Sequence, residues 1–427
     1  MTGWFNEANL ADVTANAYSV GPIAAIISPF FLGMIADRFF PSQWVLAALH
    51  LIGGALLMAV PQVGASAAGA DGKSFLHPVT LLLLGHMLCY MPTLGLTNSL
   101  TLHNVTNAEK QFPMIRVWGT IGWIVGNFAV GFLPDGDKSP MQFQVAGGAA
   151  ILLALYSLTL PHTPPPSAGK TFSAREALGL DALALLKKPA FAVFILCSFL
   201  ICIPLAGYYA YARNFVEATQ TLIKLPAALA QALPFLGSAE ALQNGAPVIT
   251  MSLGQMSEIF FMLIMPVCFA RLGVKKMLLI GMLAWVLRYG FFAAAWDKSG
   301  AAHMVPLVFL GVLLHGICYD FFFVTGQVYV DRVAPSSMRG QAQGFLILIT
   351  QGVGMFIGAQ VFGQIVGNYT TGTGKEAVID WSTVWLIPAI AAGVIAVLFF
   401  ALFREDRGGE SVSDADIAKA EGLAAAH

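Results

Sequence analysis

About eleven apolar runs follow one another through this chain, each long enough to cross roughly 30 Å of hydrocarbon as a helix. In lipid every backbone N–H and C=O must be satisfied within the structure, so such runs can only be membrane-spanning helices. The expected fold class is an all-α polytopic membrane protein. Composition agrees: of 427 residues 57% are hydrophobic and only 11% charged, where a soluble domain carries about 25% charged residues. The formal net charge of −1 and the lack of a basic tract give no support for a nucleic-acid partner. Cys89, Cys197, Cys202, Cys268 and Cys318 all fall inside apolar runs without metal-ligand spacing, so they read as small packing residues.

The spans are expected near 10–36, 41–60, 77–104, 108–133, 140–160, 189–216, 245–271, 274–296, 302–330, 337–368 and 380–403. This divides the chain into an N-terminal transmembrane bundle of five helices over 1–160, a linker over 161–188, a six-helix bundle over 189–403 and a polar tail over 404–427. The linker holds Pro161, Pro164, Pro165 and Pro166 followed by Ser, Gly and Lys, the composition of a flexible crossing. Fourteen Lys and Arg fall in one set of alternate loops and six in the other, which places the linker and the C-terminus in the cytoplasm. Residues 1–9 then lie outside and resemble a loop that follows a helix, so a first helix is expected to be missing.

Charged residues within the spans need a partner or a purpose, because an ionised side chain near the bilayer centre costs at least about 2.5–3.5 kcal/mol. Arg116, Glu258, Arg288 and Asp320 are the notable ones. In QFPMIRVWGTIGWIVGN, Arg116, Thr120, Trp123 and Asn127 share one helical face: a cation, a hydroxyl, an aromatic plane and an amide. Such a stripe suits a polar ring, which the guanidinium and amide hydrogen-bond and the indole stacks. The alternative is an Arg116 that snorkels to lipid phosphates, but it stands eight residues up the helix from Ala108.

In MSLGQMSEIFF, Ser252, Gln255 and Glu258 recur every three residues, with Glu258 near mid-span. A carboxylate stripped of water there can gain or lose a proton in operation, or it is a permanently paired structural group. In LHGICYDFFFVTGQ, His315 and Tyr319 share a face and Asp320 lies about 100° round from them. Asp320 is either a second protonation site or the counter-ion of Arg288 in the preceding span. His50 and His86 read as hydrogen-bonded core histidines. No GxxxxGK[ST], GxSxG or HExxH appears, so the chain is expected to be neither ATP-driven nor an enzyme.

The first loop, FLGMIADRF, resembles the major facilitator signature, in which a Gly and an Asp–Arg pair, here Asp37 and Arg38, fill a tight turn. Together with MPTLGLTNSL, FPMIRVWGTIGW, LTLPHTP, LGLDALAL, MSLGQMSEIFF, WVLRYGFFA and YDFFFVTGQVYVD, it resembles the nucleoside:proton symporter family of the major facilitator superfamily over nearly the whole chain. The resemblance implies a two-bundle transporter with a central cavity and twelve helices, of which this chain has eleven as five plus six. It implies that Arg116, Thr120, Gln255, Glu258 and Asp320 line a nucleoside site, with Trp123 and Tyr319 in place of phenylalanines and His315 in place of a tyrosine. The sixth span, IPLAGYYAYARNF, departs from it: two amides give way to about Ala206 and Tyr209, and Tyr208 and Tyr211 appear. Loss of fixed amides can change discrimination by orders of magnitude.

The reading is a nucleoside:proton symporter of the cytoplasmic membrane working by alternating access. Arg116, Thr120, Trp123, Gln255, His315 and Tyr319 would hold the substrate, Glu258 or Asp320 the coupling proton, and Arg288, Asp37 and Arg38 structural ion pairs. A sugar or another small polar metabolite is the alternative substrate, and a membrane enzyme or sensor the alternative class. The expected partners are a nucleoside-like molecule and the lipid bilayer; the proton is the coupling ion, no cofactor is expected, and the chain acts as a monomer.

Overall fold

The computed structural model describes residues 1–31, 39–67, 69–104, 108–131, 133, 135–165, 180–224, 226–232, 243, 245, 247–297, 303–335, 339–372 and 377–404. Asp37 and Arg38 lie outside the described residues. A short helix, α1 (Thr2–Glu7), precedes α2 (Thr14–Phe31), α3 (Ser42–Ser66), α4 (Pro78–Asn104), α5 (Ala108–Gly131) and α6 (Met141–Ser157). Helix α7 (Pro189–Ala218) follows the linker. The next helical run, Pro247–Ala294, is broken at Gly273, whose φ of 70° only glycine adopts at ease, giving α8 (247–272) and α9 (274–294). Helix α10 (305–333) contains a π turn at Asp320–Val324, and α11 (339–368) another at Leu348–Gly354. Helix α12 (Trp381–Leu402) begins at Asp380, whose carboxylate accepts from the Thr383 N–H at 3.3 Å and the Thr383 hydroxyl at 2.7 Å.

A helix thus stands at each of the eleven expected positions. Among the described residues eight helices are long and apolar enough to cross a membrane. The other three stretches are occupied by α2, α5 and α6. Within the first group α3 packs on α4 and α6, and α2 on α4. In the second, α7 packs on α11 and α12, while the 247–294 run packs on α10 and α12. The second group is filled by aromatic rings: Phe215 touches Phe292, Trp381 and Trp385, and Trp385 stacks on Tyr289 at 5.8 Å. Close helix approach depends on glycine. A Cβ at Gly358 of α11 would lie 2.7 Å from both the Ile203 carbonyl oxygen and Ala206 Cβ of α7.

The two groups meet through α2 against α11 and α5 against the 247–294 run. A Cβ at Gly131 of α5 would meet Ile249 of α8 at 2.6 Å. The polar contacts between groups cluster at the end opposite the linker. Lys138, after α5, pairs with Glu217 of α7 at 2.5 Å, and Arg213 pairs with the same carboxylate. Gln360 of α11 donates to Ser19 Oγ at 2.7 Å and Asn16 Oδ1 at 3.3 Å on α2, and Thr2 Oγ1 donates to the Ala210 carbonyl at 3.2 Å.

The glycine contacts yield a paired test. Gly358→Val should destabilise the protein by about 1–3 kcal/mol through overpacking. Gly393→Ala in α12, where a Cβ meets nothing within 4 Å, should be neutral or stabilising by up to about 1 kcal/mol. Equilibrium unfolding in detergent measures both, and equal effects would show that close approach does not hold α7 to α11.

Candidate functional site

Helices α8 and α10 are drawn together where each carries a glycine. A Cβ at Gly316 would come within 2.6 Å of the Ser257 carbonyl oxygen, and one at Gly254 within 2.9 Å of His315 Cβ. The Gly316 N–H donates to Ser257 Oγ at 3.0 Å, tying the helices at this level. One residue beyond Ser257 stands Glu258, and one before Gly316 stands His315; Glu258 Oε2 and His315 Nε2 are 3.9 Å apart. His315 is buried and Glu258 mostly so, with side chains 5% and 14% exposed.

The other sequence-predicted residues of the second group gather round this pair. Tyr319, one turn along α10, has its ring 6.1 Å from that of His315. Gln255, one turn before Glu258, has its amide Oε1 buried without a hydrogen-bond partner among the described residues. Ser252 is turned onto its own helix, donating to the Val248 carbonyl at 2.9 Å. Asp320 is fully buried at the first position of the π turn, with neither carboxylate oxygen hydrogen-bonded, and Glu258 is the charge that acts on it through space. Turns of π helix recur where a helix carries function.

The expected Arg288–Asp320 ion pair is not formed. Arg288 Nε donates to the Gly311 carbonyl at 3.0 Å, its guanidinium lies 3.9 Å from the centre of the Tyr208 ring, and Nη1 and Nη2 have no hydrogen-bond partner among the described residues. The cause is depth. Gly311 precedes Asp320 by nine residues, about 13 Å along α10 at about 1.5 Å per residue, so the guanidinium is anchored at another level. Its charge is met by the π face of Tyr208 and a carbonyl dipole.

Tyr208 is the residue that sequence reasoning underrated. It appears there only as a departure in the sixth span, yet it is fully buried between Arg288 and His315, whose ring it stacks on at 5.8 Å and 19°. Tyr209 beside it is partly exposed and lies within electrostatic reach of Tyr319 and Glu258. The signal available was the run of tyrosines in a span that otherwise carries few polar groups.

On the other side of the molecule, α5 packs against the helix run that carries Gln255 and Glu258. Thr120 and Asn127 are half-buried and Trp123 is 60% exposed. Arg116 lies on α5, but its side chain is outside the described residues. In the first group His86 donates a ring N–H to the Gly53 carbonyl at 3.0 Å, and His50 is buried beside it. Among the described residues no cluster of three or more His, Cys, Asp or Glu fit to hold a metal occurs.

The described residues thus bring a carboxylate and an imidazole within 3.9 Å of each other, one helical turn from a buried amide acceptor. The chain as a whole is similar to known proteins. A family model described as nucleoside H+ symporter matches residues 1–408. The chain is 40% identical to the putative nucleoside transporter YegT of Escherichia coli K12, over 95% of this chain and 90% of that protein. It is 33% identical to the nucleoside permease NupG of the same organism, over 91% and 86%. The crystal structure of the nucleoside transporter NupG superposes with a TM-score of 0.74 at 30% identity, covering 95% of each chain. A D-xylose–proton symporter, 12% identical with a TM-score of 0.63, shares the fold. By the family match over almost its whole length and by relatives that agree with it, this chain belongs to the nucleoside H+ symporter family.

Proposed function

We propose that the polar faces of α5, α8 and α10 together hold the nucleoside in this nucleoside:proton symporter, and that Glu258 carries the coupling proton. The observation that carries the reading is Gln255 Oε1, a buried acceptor with no hydrogen-bond partner among the described residues, one turn from the Glu258 carboxylate. A buried acceptor left unpaired costs about 1–3 kcal/mol, which a nucleoside's N–H or O–H donor removes. Trp123, mostly uncovered, stacks on the base; Thr120, Gln255, Tyr319 and His315 orient it. Arg116, on the helix that packs against this run, supplies a fixed cation.

The protein is a secondary active transporter of the bacterial inner membrane and a multi-pass helical protein. In this proposal the chain divides into bundles at 1–160 and 189–403, joined by the 161–188 linker. The bias of fourteen Lys and Arg to six across alternate loops puts the linker and C-terminus in the cytoplasm. The proton is the coupling ion, no other cofactor takes part, and the chain works as a monomer with no nucleic-acid partner and no enzymatic step.

Uptake of radiolabelled nucleosides by cells lacking their own nucleoside uptake tests the whole reading. Uptake should collapse on dissipating the pH gradient and persist when sodium is removed; sodium-dependent uptake that resists a protonophore would remove proton coupling. Glu258→Gln keeps size and hydrogen-bonding capacity but cannot release a proton. It should abolish accumulation while leaving exchange measurable, and unimpaired accumulation would transfer the proton to Asp320.

Because Arg288 is anchored at Gly311 and Asp320 is not its partner, the two should also act independently on stability. A double-mutant cycle of Arg288→Met and Asp320→Leu, read by thermal unfolding, should be additive within about 0.5 kcal/mol. A larger coupling energy would mean that the two charges meet in another state of the transport cycle.

A further inference from the structure

His315 stands where an aromatic side chain without a basic nitrogen would fill the same space, and its setting is that of a proton-carrying group. Its ring plane is fixed by stacking on Tyr208 at 5.8 Å and 19°. Its backbone is fixed by the Gly316-to-Ser257 hydrogen bond at 3.0 Å and by the fit of Gly254 against its Cβ. Nδ1 is buried without a hydrogen-bond partner among the described residues. The nitrogen presented to Glu258 is Nε2, 3.9 Å from Oε2. That separation is slightly too long for a hydrogen bond and short enough for proton transfer after a small side-chain movement.

We propose that His315 and Glu258 form a single proton-carrying pair, in which the coupling proton is held in common rather than by the carboxylate alone. This rests on the reading of Glu258 as the coupling carboxylate. The step is an internal transfer. The O–H bond of the Glu258 carboxylic acid breaks as an N–H bond forms at His315 Nε2, leaving carboxylate and imidazolium at unchanged total charge. Release to water then takes the proton from Nε2 and returns the neutral imidazole. The charged and titratable groups facing the pair are Tyr208 and Tyr209 of α7, Arg288 of α9 and Tyr319 and Asp320 of α10. Helix α5, packed against the 247–294 run, adds Arg116, whose side chain is outside the described residues. Arg288 is the fixed cation within reach of His315.

The test uses the full chain in proteoliposomes. With all histidines 15N-labelled, the His315 signal is identified by its loss in His315→Gln, and its Nε2 is titrated in the wild type and in Glu258→Gln. Sites that interact strongly titrate as a pair, so the Nε2 midpoint should move by about one pH unit or more when the carboxylate is removed. In parallel, exchange of radiolabelled uridine, adenosine and inosine is measured against pH. Each variant is scaled to its own maximum, so that a lower level of active protein has no effect on the profile. The His315→Gln profile should shift by about one pH unit or lose one titration step. An Nε2 signal with the same midpoint in both proteins, or one that never protonates, overturns the pair, as does an unchanged profile. A wild-type chain that exchanges none of the three nucleosides instead defeats the substrate assignment, and the Nε2 titration still decides the pair.

Discussion

The approach of the α8 and α10 backbones at Gly254, Ser257 and Gly316 is the contact on which the polar interior depends. Side chains at Gly254 and Gly316 would drive the helices apart, since a Cβ at Gly316 already meets the Ser257 carbonyl at 2.6 Å. With the helices this close, the largely buried side chains of Glu258 and His315 stand 3.9 Å apart. Low local dielectric there strengthens every interaction between charges and makes isolated ones costly. The same closeness places Tyr319 and Gln255 one turn either side of the pair. The site is therefore built from helix packing and not from loops, which keeps its geometry tied to the positions of whole helices.

The fold was largely legible from the sequence, because length and apolarity alone decide where a helix crosses a bilayer and each of the eleven stretches is helical. Sequence periodicity also singled out residues that the structure brings near one another: Glu258 on one helix, His315 and Tyr319 on another. It failed where the answer depends on the relative depth of two helices. Arg288 and Asp320 are opposite charges on successive spans, and nothing in their spacing shows that the arginine is held at Gly311, nine residues before the acid. Tyr208 was missed for a related reason. Its role comes from what α9 and α10 bring to its ring, and no local pattern in α7 encodes that. The π turns at Asp320 and Leu348 left no signature either, since an extra residue in a helix does not alter its composition.

Among the described residues several buried polar atoms of the 189–403 region have no hydrogen-bond partner, including the Arg288 Nη atoms, both Asp320 oxygens, Gln255 Oε1 and the indole nitrogens of Trp285 and Trp385. Each such group raises the free energy of this conformation. Such groups lie on α7, α8, α9, α10 and α12, and Gln255, His315 and Asp320 among them are candidate site residues. A transport cycle needs states of similar free energy, and a state that leaves donors and acceptors open is readily exchanged for one in which a ligand, water or a proton completes them.

The clasp at the end opposite the linker has a consequence for that exchange. Lys138, Glu217, Gln360, Asn16 and Ser19 join the bundles through ion pairs and hydrogen bonds. When an apolar seam parts, wetted hydrocarbon is penalised in proportion to its area, whereas polar groups that separate are met by solvent. Net losses of about 0.5–1.5 kcal/mol per hydrogen bond follow, comparable to a few multiples of thermal energy. These polar fastenings, added to the apolar contacts between the groups, are ones that water can replace one at a time, which gives this end specificity of register without a deep energetic trap.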